Sequence, residues 1–110
     1  MPEKPNADTI LFPDYQGRTV RFTKERQEHV LEHREMVGQF ERIRETVKSP
    51  ELVVATRLDE SVHVYHRFYD TTPVTSKYLQ VAVKLLEEDA FILTAFYSSR
   101  QKRGETVWQA

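Results

Sequence analysis

The sequence contains no cysteine, only three glycines and no long uninterrupted run of apolar residues. The absence of cysteine excludes disulfide bonds and thiolate metal sites. A transmembrane helix needs about 20 consecutive apolar residues, and no segment of the chain approaches that length. The first residues, MPEKPNADT, also lack the basic and apolar regions of a secretory signal peptide. A cytosolic protein with no membrane association is therefore expected.

The chain also lacks an excess of charge of either sign. Its 16 Lys and Arg residues are balanced by 17 Asp and Glu residues, which gives a formal net charge of −1. Such a chain has no general attraction to nucleic acids, so any RNA or DNA site has to be a local patch. The 110 residues, 39% hydrophobic and 30% charged, suit one compact domain with a small core.

The first half of the chain has the pattern of a short hairpin followed by helices. Residues 1–9 are polar and contain two prolines, which predicts a loose terminal arm. The apolar segments ILF and TVRF flank the turn-forming PDYQG, which predicts a hairpin over residues 10–22. Thr23 then has the side chain of a helix N-cap, and residues 24–48 carry apolar side chains at helical spacing. Gly38 interrupts this segment, so two amphipathic helices and one helix bent near Gly38 fit equally well.

After residue 50 the apolar spacing changes from helical to alternating. Four segments rich in β-branched and aromatic residues, LVVATR, VHVYHRFY, KYLQVAVKLL and AFILTAFYS, predict an antiparallel meander over residues 52–98. Helices followed by strands predict an α+β fold, with one or two N-terminal helices packed on a four-stranded antiparallel sheet. Residues 99–110 are expected to form a basic loop and a short final strand. The whole chain, residues 1–110, is thus expected to form a single domain.

The helices are expected to cover the aliphatic face of this sheet. In the third predicted strand, four aliphatic residues at every second position share that face: Leu79, Val81, Val83 and Leu85. The helical residues expected to pack on them are Val30, Leu31, Val37, Phe40, Ile43 and Val47. The second strand is expected to turn the following residues to the same side: Val62, Val64, His66 and Phe68.

The opposite face of the sheet remains open and is the expected location of a site. The second strand is expected to present to it His63, Tyr65, Arg67 and Tyr69, and the third strand Tyr78, Gln80, Ala82 and Lys84. If residues 86–90 contain a three-residue loop, Thr94 lies opposite Ala82 on this face. Hydroxyl groups, an imidazole and cations then lie together on one surface.

The segment HVLEH places His29 and His33 four residues apart, with Glu32 directly before the second histidine. On a helix this pair shares one face, and the pattern matches the inverted zinc-protease motif H-x-x-E-H. A protease also needs a third ligand and a cleft, and so short a match arises easily by chance, so we expect no metal. Two other interpretations stay open, namely a solvated helix face and an acid/base pair that transfers protons near neutral pH.

The cations Arg100, Lys102 and Arg103 lie next to a glycine. Such a cluster forms either a solvated loop or a phosphate-binding site. The aromatic residues of the strands have a similar ambiguity, since they either pack in the core or stack on unpaired bases. They are Tyr65, Tyr69, Phe96 and Tyr97.

A resemblance to a known family rests on two segments and on the four-strand spacing between them: RFTKERQEHVLEHREM and FILTAFYSSRQKRGETVW. In these features the chain resembles small phage- and toxin-associated proteins of the barnase–EndoU–colicin–RelE-like superfamily of RNases. The resemblance extends over residues 19–108. It implies one or two helices followed by a four-stranded antiparallel sheet, and cleavage of RNA without a metal or other cofactor. In that chemistry a base deprotonates the ribose 2′-OH, which attacks phosphorus, and an acid protonates the leaving 5′-oxygen.

The resemblance nominates four catalytic residues, two from the helical block and two from a strand: His29, His33, Thr94 and Tyr97. It implies that five cations hold phosphate groups: Arg67, Lys84, Arg100, Lys102 and Arg103. The implied partners are RNA and a cognate antitoxin or immunity protein. The chain departs from many RNA-cleaving toxins in being slightly acidic rather than strongly basic.

Two classes of function are therefore open. The first is an endoribonuclease, as in the toxin of a toxin–antitoxin pair or a phage-associated system, which the histidine, threonine and tyrosine residues favour. The second is a non-catalytic protein-interaction module that keeps the RNase-like fold, which the near-neutral charge favours. A histidine-bound metal site is a third alternative.

Overall fold

The computed structural model describes residues 8–110, which contain seven strands and two α-helices. The strands are β1 (Ile10–Pro13), β2 (Thr19–Phe22), β3 (Leu52–Ala55), β4 (Val62–Phe68), β5 (Tyr78–Leu86), β6 (Asp89–Ser98) and β7 (Glu105–Gln109). The helices are α1 (Lys24–Leu31) and α2 (Phe40–Lys48), and a short 3₁₀ turn, Arg34–Met36, lies between them. The predicted terminal arm, residues 1–9, lies outside the described residues except for its last two.

The seven strands form one sheet in the order β1, β2, β6, β5, β4, β3, β7. Neighbouring strands are antiparallel except β2 and β6, which run parallel and pair at Arg21 and Phe91. The α+β class is confirmed, but the prediction of a four-stranded antiparallel sheet is wrong. The four predicted strands, β3 to β6, are joined by the leading hairpin at one end and by β7 at the other. Sequence patterns indicate strands but not which edges pair, because pairing depends on contacts far apart in the chain.

The helical segment divides into two helices, one of the two alternatives that the sequence left open. Thr23 caps α1 as predicted, because its hydroxyl accepts a hydrogen bond of 3.3 Å from a backbone N–H one turn on. The helix ends at Leu31, and α2 begins only after Gly38, whose φ is +78°. Leu31 and Val37 were predicted to lie in the core, but they are 40% and 65% exposed. The helix ends between them, so helical spacing does not apply to Val37, and Met36 is buried instead. Neither helix of the described chain is long and apolar enough to span a membrane.

The core lies between the helices and one face of the sheet. Ile43 and Val47 of α2 are fully buried in one apolar cluster with Leu79, Val81 and Val83 of β5. The three residues of β5 occupy the face that alternation predicted, and the two of α2 pack on it as their helical spacing predicted. We call this side of the sheet the helix side and the opposite side the outer face.

Strand β4 is turned the other way from the prediction. Tyr65 lies opposite Val81 in the register, so it is on the helix side, where it is fully buried. By the same register His63 and Arg67 are on the helix side, and the outer face carries Val62, Val64, His66 and Phe68. Because side chains alternate along a strand, a one-residue error reverses every residue. Alternation was ambiguous in β4, since both of its faces carry large side chains.

The register between β5 and β6 contains a bulge at Leu93. The turn has two residues, since Leu86 pairs with Asp89, so the three-residue loop on which the pairing of Thr94 with Ala82 was conditional does not form. Val83 pairs with Ile92 and Ala82 with Thr94, so Leu93 is the extra residue. The predicted pairing of Thr94 with Ala82 on the outer face is therefore correct, but the bulge causes it rather than the loop.

The sheet curves strongly around its helix side. Tyr15, in the loop of the leading hairpin, contacts Trp108 of β7, with ring centroids 5.0 Å apart. The hairpin and β7 are at opposite ends of the strand order. The curvature therefore brings the two ends of the sheet together over the core and makes the outer face the convex one.

Candidate anion-binding cleft

Residues 99–104, which we call the strap, cross the outer face of the sheet. Strands β6 and β7 are separated by β5, β4 and β3, so the segment between them has to pass over these three strands. Two side chains of the outer face attach it. Gln80 Nε2 donates a hydrogen bond of 2.7 Å to the carbonyl oxygen of Arg100, and His66 Nε2 accepts one of 2.9 Å from the backbone N–H of Lys102.

His66 is fully buried beneath the strap. Its Nδ1 lies 3.2 Å from the carbonyl oxygen of Leu52, which can only accept, so Nδ1 carries the hydrogen. Nε2 then has a free lone pair for the N–H of Lys102, and the hydrogen-bond network assigns the neutral Nδ1–H tautomer. Burial lowers the pKa of His66, against the opposing effect of its hydrogen bond to Leu52.

Gly104 brings the end of the strap directly against β3. A Cβ atom at this position would lie 2.3 Å from the carbonyl oxygen of Ala55. That contact is far inside van der Waals distance, and the partner is a backbone atom of a paired strand. Only glycine therefore allows the strap to pass this close to the sheet before β7 begins.

The strap borders a cavity of about 630 Å³. Its lining residues include four cations: Arg57, Arg100, Lys102 and Arg103. No Asp or Glu lines this cavity, and none of the four cationic side chains forms an ion pair or hydrogen bond with another residue of the described range 8–110. In a chain with a net charge of −1, the cavity is a local concentration of positive charge, which can attract an anion.

An aromatic ring and an imidazole lie next to these cations. Phe96 lines the cavity, and its partner in the register is Gln80, so its ring is on the outer face. The ring of His33 contacts Phe96, with centroids 6.0 Å apart and planes 45° apart. His33 has an extended backbone beyond the end of α1, and its side chain is exposed. Of the four residues predicted to be catalytic, His33 is therefore in ring contact with the lining of the cleft.

The two histidines of the HVLEH segment do not share a helix face. His29 is in the last turn of α1, where its Nδ1 lies 3.7 Å from Glu32 Oε1 at the exposed surface. His33 lies after the helix has ended at Leu31, so the four-residue spacing no longer places it above His29. The prediction of one helix face for the pair is wrong, and the helical geometry that the inverted zinc motif requires is not formed.

Thr94 and Tyr97 lie on opposite sides of the sheet. Thr94 is on the outer face, but its hydroxyl oxygen is buried and has no hydrogen-bond partner within residues 8–110. Tyr97 pairs with Leu79 on the helix side, where its hydroxyl donates a hydrogen bond of 2.6 Å to Gln39 Oε1. Arg42 also donates to this hydroxyl, at 3.3 Å. The structure therefore does not bring Tyr97 to the cleft.

The five cations predicted to hold phosphate groups divide into two sets. Arg100, Lys102 and Arg103 line the cleft. Arg67 is on the helix side, where it donates to the carbonyl oxygen of Ser49 at 2.6 Å and lies 3.6 Å from a carboxylate of α2. Lys84 is on the outer face as predicted, but its Nζ is 2.7 Å from Asp59 Oδ2, an ion pair that holds the pKa of Asp59 down at about 2.

Three residues that line the cleft were not predicted as site residues, namely Arg57, Gln80 and Phe96, and neither was His66, which holds the strap from beneath. The alternation of β5 does place Gln80 on the open face, and Phe96 was recognised as a candidate for base stacking. His66 was assigned to the wrong face of β4. Arg57 gives no signal in the sequence, because its place in the cleft depends on the path of the strap.

No protein-family model, curated protein or solved structure matches the chain. The resemblance to RNases therefore stays a prediction from the sequence. The charge and geometry of the cleft are the observations on which a function can be based.

Proposed function

We propose that the protein binds single-stranded RNA in this cleft and is an endoribonuclease-like domain. The observation that carries the proposal is the concentration of four unpaired cations in one cavity that no carboxylate lines. Because the chain as a whole has a net charge of −1, this cleft provides the local patch that binding of a polyanion requires.

The cleft has the two kinds of contact that single-stranded RNA uses. Its guanidinium and ammonium groups pair with phosphate oxygens, and arginine can do so through two parallel hydrogen bonds. The ring of Phe96 provides an apolar surface on which an unpaired base can stack. A base within a duplex cannot reach such a surface, so we propose a single strand as the substrate.

His33 is the acid/base residue in this proposal. Its imidazole is exposed and touches the ring on which a base would stack, so it lies close to the sugar–phosphate backbone of the bound RNA. As base it takes the proton of a ribose 2′-OH, whose oxygen attacks the adjacent phosphorus. The bond from phosphorus to the 5′-oxygen breaks, an acid protonates that oxygen, and the product ends in a 2′,3′-cyclic phosphate. His29 is the acid that the resemblance nominates, although its imidazole lies beside Glu32 and not against Phe96, and the chemistry needs no cofactor.

The alternative is a non-catalytic module that keeps the cleft for binding alone. A specific observation favours it: the hydroxyl of Tyr97 is bound to Gln39 and Arg42 on the helix side, and the hydroxyl of Thr94 is buried. Tyr97 is thus on the side of the sheet opposite the cleft, and the Thr94 hydroxyl, although on the outer face, is buried. Under either alternative, an acidic antitoxin or immunity protein would match the charge of the cleft.

The proposal is tested by titrating a fluorescein-labelled single-stranded RNA of about 12 nucleotides, a length within the usual site sizes of such proteins. If all four cations contact phosphates, the logarithm of the binding constant should fall against the logarithm of salt concentration with a slope of about −3. The double variant Arg57→Gln/Arg103→Gln should reduce the magnitude of that slope by about 1.4, or 0.7 for each phosphate contact removed. The same RNA is analysed on a gel for products with a cyclic phosphate end.

Lys48→Gln is the matched control, because Lys48 is an exposed cation at the end of α2, on the other side of the sheet. It should leave both the affinity and the salt slope unchanged. Failure of the wild-type protein to bind RNA at low salt would refute the proposal, as would equal effects of the Lys48 and cleft variants. Binding without cleavage would support the non-catalytic alternative.

A further inference from the structure

We infer that His66 is the positioning residue of the cleft: its neutral imidazole holds the strap on the sheet, and a proton on Nε2 releases it. Arg100, Lys102 and Arg103 all belong to the strap, so its attachment determines whether three of the four cations stay together. This inference rests on the proposed function in one respect, because it assumes that the cleft is the RNA-binding site.

The geometry makes the attachment dependent on the protonation state. Nε2 of His66 accepts the N–H of Lys102 at 2.9 Å with its single lone pair. After protonation, Nε2 carries a hydrogen that points at another N–H, so the hydrogen bond is replaced by repulsion between two donors. The imidazolium would also be fully buried, where an unpaired charge is strongly unfavourable. Movement of the strap away from the sheet relieves both effects.

No charged group in the described part of the chain compensates for a positive charge on the ring, because the groups that favour its charged form are the neutral backbone carbonyls of Leu52 and Val64, and burial outweighs them. Strand β3 offers the carbonyl oxygen of Leu52, which is already bound to Nδ1, and β5 offers Gln80, which is uncharged. The strap contributes only cations. The adjacent carboxylate, that of Glu51, accepts a hydrogen bond of 2.9 Å from the backbone N–H of Phe68. Neither ring nitrogen has a carboxylate as its hydrogen-bond partner.

Release of the strap should weaken the binding of anions. In the attached state Gln80 and His66 fix the backbone at Arg100 and Lys102, so the cations are placed before the ligand arrives. Without the second contact the strap keeps the Gln80 hydrogen bond, a hydrogen bond of 3.2 Å from the Arg100 N–H to Ser98 Oγ, and its connections to β6 and β7. The cations then have to be ordered during binding, at a cost in conformational entropy.

Two substitutions separate the hydrogen bond from the titration. In His66→Gln the side-chain Oε1 can reach about the position of Nε2 and accept the Lys102 N–H, but it does not titrate. In His66→Leu no acceptor remains. Two quantities are measured from about pH 7.5 to about pH 5, the range in which histidine titrates. They are the protection of the Lys102 amide against hydrogen exchange, by NMR, and the affinity for tripolyphosphate and for the labelled RNA.

When the pH is lowered, we expect the protection factor of the Lys102 amide in the wild type to decrease, by a factor at least tenfold larger than the decrease at Val81. The affinity for both anions should decrease in parallel. His66→Gln should keep its protection throughout, and its affinity should vary less with pH. Protection of Lys102 that does not depend on pH in the wild type, or an unchanged pH dependence in His66→Gln, overturns the inference. If His66→Leu fails to fold, the comparison of the wild type with His66→Gln still decides. If neither anion binds at any pH but the protection titrates only in the wild type, the proposed RNA function fails and the attachment of the strap by neutral His66 stands.

Discussion

The hydroxyl of Tyr65 donates a hydrogen bond of 2.8 Å to Asp14 Oδ2 and so joins the loop of the leading hairpin to the centre of the sheet. Asp14 is only 4% exposed, and it also accepts hydrogen bonds from the backbone N–H groups of Gln16 and Arg18 and from Arg18 Nε. A buried carboxylate needs such partners to be tolerated. Burial, together with the Asp14 hydrogen bond, raises the pKa of Tyr65, so the phenol stays protonated and remains a donor.

Tyr65→Phe should therefore lower the free energy of unfolding by about 2 kcal/mol, the usual contribution of a hydrogen bond to a charged group. The ring and its packing are kept, so the change reports the hydroxyl alone. Tyr78→Phe is the matched control, because the Tyr78 hydroxyl forms no hydrogen bond with any residue from 8 to 110. Urea unfolding measures both variants, and equal stabilities would show that the Asp14 contact does not stabilise the hairpin.

Val81→Asp should destabilise the protein severely. Val81 is fully buried at the centre of the core, and a carboxylate without a partner there costs several kcal/mol, comparable with the whole stability of a small domain. The control is Ala82→Asp, the neighbouring position on the outer face, which should be tolerated better. The melting temperature is the measurement. An unchanged value for Val81→Asp would mean that the two faces of β5 have been assigned in reverse.

Stability should fall below about pH 6.5 because of the buried histidines. Burial lowers the pKa of His66, and also that of His63, below the ordinary value of 6.5. Above that pH neither the folded nor the unfolded state binds the proton. Below it the unfolded state binds the proton first, so unfolding is favoured, with a slope from His66 of at most about 1.4 kcal/mol per pH unit. The slope ends at the pKa of the folded state.

Urea unfolding between pH 8 and pH 5 measures this dependence, and His66→Gln should make it shallower. Two carboxylates with a lowered pKa, those of Asp59 and Asp89, do not contribute to the slope in this range. The pKa values of Asp59 and Asp89 are lowered from 3.8, so their contribution to stability is complete above that pH and disappears only in more acidic solution. A slope of the same size in His66→Gln would show that other groups cause the pH dependence.

His33→Ala should reduce cleavage of RNA by about two orders of magnitude or more, the usual contribution of general acid–base catalysis. The free energy of unfolding should change by less than about 1 kcal/mol, because the side chain is exposed. Replacing His29 as well should not restore activity. A double variant that cleaves RNA at the wild-type rate would exclude both histidines from the chemistry, whereas loss of stability would make the His33–Phe96 contact structural.

Gly104→Ala should displace the strap and weaken the binding of RNA. The added methyl group would lie 2.3 Å from the carbonyl oxygen of Ala55, so the strap or β3 has to move. Ser99→Ala, at an exposed position of the strap that does not line the cavity, is the control and should leave the affinity close to that of the wild type. Fluorescence titration with the labelled RNA gives both affinities. Unchanged binding in Gly104→Ala would show that the exact path of the strap does not matter to the cleft.

Local interactions made several features predictable from the sequence. Thr23 begins a helix because its hydroxyl satisfies a nearby backbone N–H, and that depends only on residues within one turn. The alternation of Leu79, Val81 and Val83 assigned the faces of β5, since polar residues separate them. The helices, the strands of the meander and the basic cluster near residue 100 are likewise visible in short segments.

Tertiary contacts decided what these segments form together. His66 and Tyr65 are both large, and only the pairing of Tyr65 with Val81 determines which of them enters the core. Strand β7 pairs with β3 rather than with β6, which draws the strap across the outer face and places Arg100 to Arg103 beside Arg57. The hydrogen-bond energy of a strand edge is nearly the same for many partners, and the choice among them depends on burial over the whole sheet. The sequence by itself therefore determined the fold class and the cations, whereas only the tertiary structure decided that they line one cleft beside a buried histidine.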